Sequence, residues 1–61
     1  MDSINVLVIE DNPLERDELT QVLEKNGYHV VGVASNYNEA LTLFYSQSVD
    51  VVIIDIFLDG K

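Results

Sequence analysis

An α/β fold built on a parallel sheet is the class this sequence predicts, and three observations predict it. Strand-like apolar runs at residues 4–9, 29–34 and about 49–54 alternate with two stretches of helical periodicity, giving the order β-α-β-α-β. The first and third runs are almost wholly aliphatic, Ile4-Asn5-Val6-Leu7-Val8-Ile9 and Val51-Val52-Ile53-Ile54, as in strands covered on both faces. Both then end in carboxylates, Glu10-Asp11 in one case and Asp55 in the other. Ligands of open α/β sheets bind beyond the carboxyl ends of the strands. Asp55 is therefore the first candidate for a functional residue.

Each element has its own local reason. The first strand is broken only by Asn5. After Glu10-Asp11, Asn12 and Pro13 read as a helix N-cap and first helical position, and Glu15 completes a capping-box spacing. Leu14, Leu19, Val22 and Leu23 follow at helical intervals, and Asn26-Gly27 is a left-handed stop. The second strand, residues 29–34, is short and carries Gly32, which suits a sheet edge. Ser35 and Asn36 precede a second helix, with Asn36 and Glu39 at capping-box spacing again. That helix carries Ala40, Leu41, Leu43 and Phe44, and it runs out near Ser46-Gln47-Ser48. The third strand begins at Val49 or Asp50.

Right-handed crossovers leave two arrangements open. The sheet winds on in one direction, or the third strand returns to the far side of the first in the order 2-1-3. The weaker second strand favours 2-1-3, with the first strand central and the two helices on opposite faces.

Sixty-one residues make at most one small domain, with little margin of stability as a lone monomer. Eleven acidic residues stand against Arg16, Lys25 and Lys61, a net charge of −8. That balance disfavours nucleic acid and anionic membrane as direct partners and suits cations or a basic protein surface. Without cysteine there is no disulfide and nothing to indicate secretion. Apolar runs of four or five residues fall far short of a membrane span. A cytoplasmic location is expected.

In the order 2-1-3, adjacent strands lie about 4.8 Å apart, so Glu10, Asp11 and Asp55 should converge. Three clustered carboxylates repel one another unless a cation joins them. A hard divalent ion with oxygen ligands, Mg²⁺ above all, matches such a set. Taken singly, Glu10 and Asp11 have a plainer reading as charges complementing the following helix terminus.

A first strand ending in Glu10-Asp11, followed by Asn12-Pro13, with a third strand ending in Asp55, resembles the response-regulator receiver domain of two-component signalling. The resemblance implies half of a flavodoxin-like doubly wound sheet, with three of the family's five strands over residues 1–61. It implies that Asp55 is the phosphoacceptor, taking the phosphoryl group from a sensor histidine kinase. It further implies Mg²⁺ held by Asp11 and Asp55, with Glu10 acting mainly through water and the Phe57 backbone carbonyl as another ligand. Leu58-Asp59 stands where the family often has Met-Pro. The family's later hydroxyl, lysine and switch aromatic have no counterparts in this sequence, so impaired phosphorylation is expected. The open edge of the third strand suggests a homo-oligomer. An aspartyl phosphohydrolase is the enzymatic alternative. Its general acid stands two residues after the nucleophile, where this chain has Phe57.

Overall fold

The computed structural model describes residues 3–54. Its elements are β1 (Asn5–Ile9), α1 (Pro13–Lys25), β2 (His29–Ala34), α2 (Tyr37–Ser46) and β3 (Val51–Ile54). The sheet is parallel in the order β2-β1-β3, so the returning arrangement is the one adopted. β1 and β3 run in step from Val6↔Val51 to Ile9↔Ile54. Between β1 and β2 the register slips by one at Val6/Leu7, leaving Val31 as an extra residue in β2.

The helices take opposite faces, as alternation along β1 requires. Leu7 and Ile9 join Ala34 and Ala40 in a core cluster against which Leu43 packs, so α2 covers that face. Val6 and Val8 are fully buried on the other face, where α1 lies. Gly32 has a packing reason beyond sitting at an edge. A Cβ there would meet methyl carbons of Leu43 and Leu7 at 3.1–3.3 Å, so its absence lets α2 seat on the sheet.

Helix ends follow local chemistry. The Asn12 side chain accepts from the Leu14 and Glu15 amides at 2.9 and 3.0 Å. The return half of the expected capping box is not made by Glu15: the Asn12 amide donates to the Glu10 carboxylate instead, at 3.0 Å. At the other end Gly27 has φ +94°, the left-handed turn that ends α1. Asn5, the one polar residue of β1, locks the amino end of the sheet. Its amide donates to Asp50 Oδ2 and its side-chain nitrogen to the Ser48 carbonyl, at 2.9 and 2.8 Å.

Two further expectations differ from the structure. β3 reads as a strand covered on both faces, yet Val51, Val52 and Ile54 are exposed, because among the described residues β3 pairs on one side only, with β1. In α1, Leu14 and Val22 also face outward. The half-buried positions are Arg16, Leu19, Thr20 and Leu23, the i, i+3, i+4, i+7 stripe that meets the sheet.

Candidate functional site at the carboxyl end of the sheet

Glu10 follows β1 directly and is buried, 3% exposed, at the rim of the sheet. Three of its polar groups are held. Its amide donates to the Ala34 carbonyl at 2.9 Å, which prolongs the pairing with β2. Its carboxylate accepts from the Asn12 amide, and its backbone carbonyl accepts from Arg16 Nη1 at 3.2 Å. Asp11 is exposed on the turn into α1. One glutamate oxygen thus serves the turn, as the plainer reading of these acids holds, while the adjacent aspartate faces solvent.

The β1–β3 register ends at Ile9↔Ile54, the residues that precede Glu10 and Asp55 in sequence. Asp55 and Phe57 themselves, as phosphoacceptor and metal ligands, lie outside the described residues. Among the described residues no three acidic, histidine or cysteine side chains gather to hold a metal ion. Glu10 and Asp11 offer oxygen donors only, a set that matches a hard cation and not a soft one.

The neighbouring β2–α2 junction is also ordered by an acid. Asn36 Oδ1 accepts from the Glu39 amide, and Glu39 Oε1 accepts from both the amide and the hydroxyl of Ser35, each at 2.9 Å. These bonds, first the Ser35 amide and then its hydroxyl, hold the Glu39 carboxyl below its usual value, with the Arg16 charge adding a smaller push. A pKa lowered on folding stabilises the fold above the ordinary glutamate value and ceases to do so as acid protonates the native carboxylate. Glu39→Gln should therefore melt below wild type at neutral pH, with the gap closing on acidification. Melting temperatures of both chains across that range check this, and a constant gap would contradict it.

Arg16 and the Ser35–Glu39 contact are the rim residues that sequence reasoning missed. A capping-box spacing marked Glu39, but an arginine inside an acidic helix reads as a solvated charge.

This geometry defines a class: a small parallel α/β unit whose central strand ends in a buried and an exposed carboxylate. The chain belongs to the response regulator receiver domain family, whose model matches residues 6–61. It is 42% identical over 59 residues to the positive alginate biosynthesis regulatory protein of Pseudomonas aeruginosa, covering 93% of this chain and 24% of that protein. It is 34% identical over 62 residues to the transcriptional regulatory protein MalR of Bacillus subtilis, covering 95% and 25% respectively. Protein PilH of Pseudomonas aeruginosa is 36% identical over 55 residues, 90% of this chain and 45% of that one. The chain thus spans about a quarter of the length of the first two relatives. No solved structure matches it. Receiver domains are the phosphorylated modules of two-component signal transduction, and sensor histidine kinases phosphorylate them. Among the described residues, no helix is long and apolar enough to cross a membrane.

Proposed function

We propose that this chain is the amino-terminal part of a receiver domain, that Asp55 is its phosphoacceptor, and that transfer depends on Mg²⁺. The observation carrying this reading is the parallel pairing of β1 and β3 up to Ile9↔Ile54, one residue short of Glu10 and Asp55. A carboxylate oxygen of Asp55 attacks the phosphorus of a kinase phosphohistidine. The P–N bond breaks, its electron pair returns to the imidazole, and an acyl phosphate forms. Asp11 and Asp55 side chains and the Phe57 carbonyl would hold the metal, with Glu10 acting mainly through water. When bound, Mg²⁺ neutralises phosphoryl oxygens. The groups that hold the phosphoryl oxygens in the wider family are not in this sequence, so acceptance by this chain alone is impaired or lost. The setting is cytoplasmic, without direct contacts to nucleic acid or membrane.

A second reading, non-catalytic self-association, has its own observation. Tyr37, Leu41 and Phe44 of α2 and Val52 and Ile54 of β3 line an apolar groove beside the β3 edge that is unpaired among the described residues. The occupant proposed is a second copy of this chain. Among the described residues α2 carries Glu39 and Asp50 directly precedes β3, while the other acids lie on α1 and the Glu10-Asp11 turn, so most of the like charge lies away from the groove. Acetyl phosphate with Mg²⁺ separates the readings by intact mass, phosphate release and light scattering. A lasting adduct supports the receiver, and steady phosphate release a hydrolase. An inert dimer supports assembly alone, and a stable folded monomer at micromolar concentration rules assembly out.

A further inference from the structure

We propose that Arg16 is a positioning residue for the Glu10–Asp11 carboxylate pair, acting through the main chain of Glu10. The inference rests on the receiver reading above and names a residue which that reading does not use. Arg16 occupies the first position of the half-buried α1 stripe, followed by Leu19, Thr20 and Leu23. A helix stripe that meets a sheet normally carries apolar residues. An arginine placed there buries its stem and keeps its charged head for a polar partner. That partner is the Glu10 carbonyl, 3.2 Å from Nη1.

The contact falls where chain direction matters most. Glu10 is fixed at its amide by Ala34 and at its carboxylate by the Asn12 amide. The Arg16 bond adds the carbonyl, the group that leads directly into Asp11. With it, the peptide joining the two acids is held between β2 and α1. Arg16 is tied in turn into its own helix, since its carbonyl accepts from the Thr20 hydroxyl at 2.8 Å. Its charge also acts on Glu39 at the β2–α2 junction.

Two physical accounts of Arg16 predict opposite signs. If it were only a nearby positive charge, removing it would favour cation binding at Glu10-Asp11. If it positions the acids, removing it should weaken binding, because groups that orient metal ligands are worth about 10- to 100-fold in affinity.

The test is calorimetric Mg²⁺ titration of wild type, Arg16→Met and Arg16→Lys, with the Asp11 amide followed by NMR and folding by circular dichroism. The expected result is binding about tenfold weaker in Arg16→Met, a smaller Mg²⁺-induced shift of the Asp11 amide, and restoration of most of the affinity in Arg16→Lys. Equal or tighter binding in folded Arg16→Met overturns the proposal and leaves the receiver reading standing. No saturable binding by wild type overturns the metal site and the proposal with it. Should Arg16→Met fail to fold, Arg16→Gln decides by the same criterion, its side chain being uncharged and too short to span the gap.

Discussion

Leu7→Ala should remove the cooperative melting transition or lower its midpoint by about 10–30 °C, the largest stability effect expected of any single truncation. Leu7 is 1% exposed and sits in the central strand, between Gly32 of β2 and Val52 of β3. Its side chain belongs to the cluster with Ile9, Ala34 and Ala40, and one of its methyls lies against the space that Gly32 leaves open. Truncating a buried leucine costs about 2–5 kcal/mol through lost transfer energy and the residual cavity. A domain of this length holds roughly 3–9 kcal/mol in total, so one such loss is comparable with the whole. Leu14, 69% exposed on α1, is the matched control. Leu14→Ala should stay within about 0.5 kcal/mol of wild type. A midpoint for Leu7→Ala within about 5 °C of wild type would mean that β1 is not the centre of the core.

Asp55→Asn should abolish the phosphoryl adduct altogether, the largest functional effect expected. Amide and carboxylate have nearly the same shape, but the amide oxygen is not a nucleophile for phosphorus, and no acyl phosphate can form on it. With acetyl phosphate and Mg²⁺, wild type should gain one phosphoryl mass slowly and in part of the molecules. The variant should gain none while keeping the same melting transition. An adduct of equal yield in Asp55→Asn would place the chemistry on another residue and remove the role assigned to Asp55.

Much of this fold is legible in the sequence because local and long-range preferences agree. Asn12-Pro13 and Asn36 announce two helix starts, and Gly27 announces a stop, through backbone chemistry that needs no tertiary partner. The uneven apolar character of the strands points to the order 2-1-3 that the sheet adopts. Other features depend on partners distant in the chain. The extra residue Val31 in β2 exists only relative to β1, so no pattern within residues 29–34 reveals it. Leu14 and Val22 are apolar at helical spacing yet face outward, because the three described strands are too narrow a platform to cover every apolar residue of α1.

The candidate site divides the same way. Paired acids at a strand end are visible as letters. What the letters hide is that Glu10 serves the turn and the rim together, its carboxylate on the Asn12 amide and its carbonyl on Arg16. Arg16 looks like a solvated charge until the inward stripe of α1 is known.

The proposed function depends on acids some forty residues apart in sequence sharing a single hard cation. Calorimetric titration of wild type and Asp11→Asn with Mg²⁺ tests it most directly. One ion per chain in wild type, with binding strongly weakened in Asp11→Asn, is the predicted result. Absence of saturable binding, or an affinity indifferent to Asp11→Asn, would contradict it.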